Sequence, residues 1–242
     1  MIKVLGICGS PRRSGNSEFL LRQALDAAEA VAPDVQTELY TISGRKFAPC
    51  DACFVCKRLG GECQQEDDFQ ELRDKWVEAD VIIYSVPVYH MGLPGGLKCF
   101  IDRLGNSQFA GHGLTLPIRL KTVGAIAQGG QLFCGQERAM IDIILHAIVM
   151  GCVPVAGDKD YNYLGAGGWS FGKSDKASVR KHFDEGNEIA ELMVSAARST
   201  ARRCVELALI VLAGARQRSD ILGSDTRYEP VVKRLADLYP GI

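Results

Sequence analysis

The chain has 242 residues, 28 Lys and Arg against 29 Asp and Glu, a formal net charge of −1 and 47% hydrophobic residues. That balance leaves no basic surplus for nucleic-acid binding, and the longest apolar run, inside Val205–Ala215, is broken by Glu206 and falls short of the ~20 residues that span a membrane. Without a signal-peptide pattern at the start, the reading is a soluble, cytoplasmic protein. Its nine cysteines, an odd number, point to metal or redox chemistry rather than a disulfide framework.

Residues 3–8 form an apolar run suited to a central parallel strand. It opens into Gly9-Ser10-Pro11-Arg12-Arg13-Ser14-Gly15-Asn16-Ser17, and Leu20, Leu21, Ala24, Leu25 and Ala28 then recur at helical spacing up to Pro33. Such a loop can turn backbone N–H groups towards a phosphate, with Arg12 and the helix N-terminus adding positive charge. It is neither a P-loop nor a dinucleotide fingerprint, and an ordinary serine-capped loop stays open as the plainer reading. Val35, Thr37, Leu39 and Thr41 alternate with their neighbours, which predicts a second strand at a sheet edge.

Directly after that strand come four cysteines in fourteen residues: Cys50, Cys53, Cys56 and Cys63. Thiolates at this density favour soft centres, and zinc, an iron–sulfur cluster and free redox thiols all remain open at this point. Structural zinc sites usually draw on two separated C-x-x-C pairs, whereas ferredoxin-type runs keep their ligands in one loop.

Asp67 and Asp68 mark the start of a helix to about Glu78, with Phe69, Leu72 and Trp76 facing inward. Asp80–Val86 reads as the third strand, and its end runs into Pro87–Gly96. A helix over Leu97–Leu104 follows, with Lys98, Asp102 and Arg103 on its polar side, and then a Gly- and Pro-rich loop over 105–117. Thr122–Ala127 is the fourth strand, opening into Gln128–Gln136. The helix Glu137–Met150 has Met140, Ile141, Ile144, Leu145, Ile148 and Val149 as its apolar face and Gly151 as its stop. Val153–Ala156 is a short fifth strand, placed at an edge by its proline. Residues 157–173 read as a glycine-rich loop, Ser174–Cys204 as a long helix, and the remainder as an apolar helical stretch followed by a short helix at Val231–Leu238.

Five alternations of strand and helix predict an α/β, doubly wound, five-stranded parallel sheet of flavodoxin-like order 2-1-3-4-5. The predicted organisation is a domain over 1–200 carrying the cysteine-rich loop 50–63, and a C-terminal helical extension over 201–242 that serves as an oligomer contact. Three loops, after the first, third and fourth strands, converge where one flavin would lie.

With these motifs in place the chain resembles the NAD(P)H-dependent FMN reductase family, and within it the iron–sulfur flavoproteins. The resemblance rests on Gly9–Ser17, on the cysteine quartet followed by Asp67-Asp68, on Ser85–His90 with Leu97–Arg103, and on Gly129-Gly130 with Gly135-Gln136-Glu137. It implies that Ser10, Arg12, Ser14, Asn16 and Ser17 hold the FMN phosphate. Pro87, Val88, Tyr89, His90 and Met91 would line the isoalloxazine, and Gln128, Gly129, Gly130 and Gln136 would complete the site. Cys50, Cys53, Cys56 and Cys63 would hold a [4Fe–4S] cluster, the remaining cysteines being core residues or, at Cys134, a departure from the family pattern. Electrons would pass between NAD(P)H or a ferredoxin and a small-molecule acceptor, with no catalytic side chain because the flavin carries the chemistry. A homodimer or homotetramer is expected, and Tyr161, Tyr163 and Trp169 either cover a neighbouring flavin or anchor their own loop. The alternatives are an NAD(P)H-dependent FMN or quinone reductase without a cluster, a flavodoxin-like carrier, and a non-enzymatic metal-binding module on the same scaffold.

Overall fold

The computed structural model describes residues 1–239. At the centre, β1 (Ile2–Cys8) pairs in parallel with β2 (Val35–Thr41) on one side and β3 (Val81–Pro87) on the other, and β3 pairs with β4 (Thr122–Gly129). Covered on both faces, β3 and β4 are buried almost throughout, which is why their sequences are continuously apolar or small. The edge strand β2 keeps Gln36 and Glu38 in solvent.

The strand order is β2-β1-β3-β4-β5, the flavodoxin-like order expected. The fifth position differs in detail, because two short strands share it. β5 (Val153–Pro154) pairs with Thr122–Val123, and β6 (Ala166–Trp169) pairs with Ile126–Gly129. β6 lies within the segment read as a loop. Gly167 and Gly168 carry no side chains to show alternation, and a Cβ at Gly168 would lie 2.7 Å from Gln128 Oε1.

One face of the sheet is covered by α1 (Asn16–Glu29) and α6 (Glu188–Gln217), the other by α2 (Phe69–Glu78), α3 (Gly95–Gly111) and α4 (Gln136–Val149). Phe69, Leu72 and Trp76 are buried as predicted. Three helices correct the sequence reading. The third continues through the expected loop to Gly111, because the cysteine segment packs along its second half. The expected helix from Ser174 is two, α5 (Ser178–Asp184) and α6, separated at Gly186 (φ +72°). Asn187 caps α6 by accepting the N–H groups of Ile189 and Ala190. The fourth helix sits on the sheet through Ala139, Met140, Ile143 and Ala147, so that of the predicted apolar face Met140 is buried while Ile141, Leu145, Ile148 and Val149 are exposed. Two alanines on the inner side let the helix approach β4 closely, leaving the larger aliphatics outside.

α6 passes Cys204 without interruption, burying Val205, Ala208 and Leu212 in the same core as α1. Beyond the short α7 (Ser219–Leu222), α8 (Glu229–Leu238) returns to the amino-terminal edge of the sheet and buries Val231 and Leu235. Arg234 on α8 grips Asp80 with both arms of its guanidinium, each at 2.7 Å, and Asp80 also accepts the N–H of Lys3. No helix among the described residues is long and apolar enough to cross a membrane.

Candidate functional site

The loop after β1 closes on itself where Ser10 Oγ accepts the Arg12 N–H at 3.1 Å. Ser14 sits at φ +52° and donates its N–H to Glu18, whose charge is matched by Arg22 at 2.7 Å. The first turn of α1 has Gly15 at its N-cap and no side-chain cap, so this end presents N–H donors and the positive end of the helix dipole. Asn16 is placed otherwise than the resemblance implies. Its amide donates to Ser178 Oγ and accepts the Val179 N–H, so the side chain fastens α5 and only its backbone faces the loop.

Ser10, Arg12 and Ser17 line a cleft with Pro87, Val88 and Tyr89 from the end of β3 and Gln128, Gly129 and Gly130 from the end of β4. Three separate loops of the predicted site thus meet at the carboxyl edge of the sheet. Sequence reading missed the fourth wall, Ser170, Lys173, Ser174, Asp175 and Lys176. Two lysines opposite Arg12 were a usable signal, but the break between β6 and α5 that brings them there was not visible.

Tyr89 and Gly92 exchange both backbone hydrogen bonds at 3.0 Å, making a two-residue turn with His90 at φ +49° and Met91 at φ +70°. Positive φ at both positions is the signature of a type I′ turn, costly for residues with side chains. Gly135 backs this turn so closely that a Cβ there would lie 2.6 Å from Met91 Cα. His90 is exposed on the turn, while Met91 and Gln136 face a neighbouring groove of about 600 Å³ with Leu132, Phe133, Tyr163 and Trp169. Gln136 fastens the loop after β4, donating to the carbonyls of Gln131 and Gly168 and accepting the Cys134 N–H.

Gln128 is 5% exposed and donates to the Gly129 carbonyl, but its Oε1 is buried without a hydrogen-bond partner among the described residues. A buried orphan acceptor costs about 1–3 kcal/mol, and this one is closed in beside Gly168 rather than open to the cleft. The uncapped helix end and Arg12, Lys173 and Lys176, which outnumber the one carboxylate of Asp175, suit a phosphate dianion, so the cleft fits the phosphate end of FMN.

The cysteine quartet lies elsewhere. After β2 the chain crosses to the second half of α3, where Cys50, Cys53, Cys56 and Cys63 line one small cavity with Arg103 and Asn106. Three sulfurs receive N–H donors: Cys50 from Asn106 at 3.4 Å, Cys53 from Gln64 at 3.3 Å and Cys63 from Arg103 at 3.4 Å. Burial, with Cys53 and Cys63 nearby, raises the Cys56 thiol above its ordinary pKa. No group of three or more His, Cys, Asp or Glu among the described residues is set to hold one metal ion.

The loop is held by backbone conformation and by one cation. Ala52, Phe54, Gly60 and Gly61 all have positive φ. Gly61 passes so near α3 that a Cβ would lie 2.9 Å from both Gly111 Cα and Ser107 O. Arg103, which the sequence placed on the polar side of its helix, is 2% exposed. Its Nη1 donates to both carboxylate oxygens of Asp67 at 2.6 and 2.7 Å, and its Nη2 to the Gln65 carbonyl at 2.8 Å. Asp67 in turn accepts the N–H groups of Ala48 and Phe69, so one ion pair ties both ends of the cysteine loop to α2 and α3.

Residues 2–162 match the family described as NADPH-dependent FMN reductase. An iron–sulfur flavoprotein of Archaeoglobus fulgidus is 35% identical, over 69% of this chain and 82% of its own length. Another from Methanocaldococcus jannaschii is 33% identical, over 79% of this chain and 97% of its own length. Among solved structures, the flavodoxin-type WrbA-like protein from Agrobacterium tumefaciens has a TM-score of 0.53 at 15% identity, covering 86% of this chain and 98% of the other. Fold, cleft and relatives together define a flavodoxin-like, FMN-dependent oxidoreductase. The chain belongs to the NADPH-dependent FMN reductase family and, within it, to the iron–sulfur flavoprotein branch.

Proposed function

We propose that this oxidoreductase holds a [4Fe–4S] cluster on Cys50, Cys53, Cys56 and Cys63 and passes electrons between NAD(P)H or a ferredoxin and a small acceptor. The observation that carries the reading is the single cavity lined by all four sulfurs, with N–H donors aimed at three of them. Such donors stabilise thiolates and raise the potential of a cluster they ligate. A shared cavity rather than a shared point suits a many-atom centre better than a lone zinc ion.

In this reading Ser10, Arg12, Ser14 and Ser17, the Asn16 N–H, and the unforeseen Lys173 and Lys176 hold the FMN phosphate. Pro87, Val88 and Tyr89 lie along the ring, with His90 and Met91 shaping the turn beside it and Gln128 in the wall behind it. Gly130 leaves open space, Gly129 makes room for Cys134 and Gln136, and Gln136 keeps their loop in place. Bound FMN would supply two-electron hydride chemistry and one-electron transfer, and the cluster one-electron transfer. The apolar groove beside the cleft, lined by Leu132, Phe133, Tyr163 and Trp169, offers a small acceptor its entry.

The cleft and the cysteine cavity share no lining residue, and Gly95 to Asn106 on α3 spans ~16 Å of helix. A homo-oligomer that sets one chain's cavity against another chain's cleft would shorten that path, and the exposed aliphatic face of α4 gives it a surface to use.

Anaerobic purification followed by a visible spectrum and assays of iron, acid-labile sulfide and zinc tests the proposal. Flavin bands with broad thiolate–iron absorption, about four irons and four sulfides per chain, and loss of both in Cys53→Ser are expected. Flavin without iron would instead favour the cluster-free reductase, and zinc in the quartet would overturn the cluster.

A further inference from the structure

The wall of the flavin cleft that faces the phosphate loop is a short run of chain, residues 173–176, between β6 and α5. It carries Lys173 and Lys176, with Asp175 between them. The Asp175 carboxylate accepts the Ala177 N–H at 2.9 Å, in a turn of its own backbone. The run lies directly on the phosphate loop. A Cβ on Gly15 would lie 3.9 Å from the Lys176 carbonyl oxygen and 3.6 Å from that of Arg12.

Both ends of the run are fastened from outside. Upstream, Ser170 and Gly172 donate their N–H groups to the Gly129 and Gly130 carbonyls at 2.9 and 3.1 Å. Downstream the run leads into α5, whose N-cap residue, Ala177, provides no side-chain cap. Asn16 provides it instead, from 162 positions away in the chain. Its Oδ1 accepts the Val179 N–H at 3.1 Å, and its Nδ2 donates to Ser178 Oγ at 3.1 Å, both bonds being buried. Open N–H groups at a helix start are ordinarily met by a local Ser, Thr, Asp or Asn. Here that task falls to the first residue of α1, the helix whose end faces the flavin phosphate site.

We propose that Asn16 is a positioning residue for the FMN phosphate, whose side chain acts through α5 by holding the lysine-bearing wall against the phosphate loop. The proposal rests on the flavin reading of the cleft. Arg12 on one wall and Lys173 and Lys176 on the other are like charges, which push the walls apart until a phosphate dianion neutralises them. Two neutral, buried hydrogen bonds oppose that repulsion and keep the cations in place for the ligand. The clasp therefore favours a flavin that carries a phosphate over one that does not.

The test compares FMN with riboflavin, which lacks the phosphate, by fluorescence quenching on the full chain freed of flavin. Lys173→Gln together with Lys176→Gln should weaken FMN about tenfold and riboflavin less than about twofold. Asn16→Ala keeps the backbone N–H of the phosphate loop and should show the same split between the two flavins. Added to the lysine pair, it should weaken FMN less than about a further twofold, because both changes remove one interaction. Ser178→Ala leaves the phosphate loop untouched and should weaken FMN about threefold or more. Parent affinity for FMN in Ser178→Ala overturns the proposal, as do effects of Asn16→Ala and the lysine pair that multiply in the triple variant. Ser178→Ala decides alone if Asn16→Ala does not fold. A parent chain that binds no FMN overturns the flavin reading and this proposal together.

Discussion

Arg103 is a buried cation whose neutralising partner is Asp67, itself only 10% exposed at its side chain. Truncating one partner of such a pair leaves the other charge uncompensated, which costs about 3–5 kcal/mol. Arg103→Met is therefore expected to lower the urea midpoint by that measure and to release the cysteine loop from α3. Burial works against the ionised Asp67 carboxyl, but the Ala48 N–H, Arg103 and the Phe69 N–H outweigh it and hold the group below its ordinary 3.8. A depressed carboxyl contributes stability that is whole above 3.8 and is lost as pH falls through the lower folded value. Asp67→Asn should accordingly be less stable at neutral pH and show a flatter loss of stability in acid, which urea melts across the acid range will read.

At the level of elements, the cysteine loop and α3 make each other. Gly105 and Gly111 made the second half of this helix read as loop, yet it is helical, with Ser107 donating to the Gly61 carbonyl at 2.6 Å and Gly111 packed against Gly60 and Gly61. At Gly61 the backbone has φ +99° and leaves no room for a Cβ. Gly61→Ala is expected to cost about 1–3 kcal/mol and to reduce the iron retained per chain, both read on one preparation by thermal melting and iron assay. Helix α4 teaches a different lesson. Periodicity located an apolar stripe correctly but could not say whether core or solvent lay beneath it, because the helix is apolar on both sides. Its inner contacts rest on alanines, which weigh little in any reading of pattern.

For the whole molecule, Ile141, Leu145, Ile148 and Val149 form an exposed apolar stripe along one face of α4, the kind of surface that association between subunits covers. If the subunits associate through this face, a charge placed in its middle opposes burial. Leu145→Glu is expected to convert the parent oligomer to monomer in light scattering at equal concentration, with the flavin spectrum retained. The C-terminal segment has a second attachment in the Arg234–Asp80 fork, so the chain beyond Thr200 is bound into the sheet edge as well as into the α1 face.

The strands, their order, the edge position of β2 and the three loops at the carboxyl edge were legible because they follow from local hydrophobic pattern and the handedness of parallel crossovers. The cysteine quartet was equally legible, since four thiols in fourteen residues are a local fact. Tertiary structure alone decided the rest. It buried Arg103 beneath the cysteines, carried α3 through its glycines, split the fifth strand, brought Lys173 and Lys176 to the cleft, and engaged Asn16 with α5. In each of these cases the partner is distant in the chain. No periodicity in a single sequence encodes such pairings.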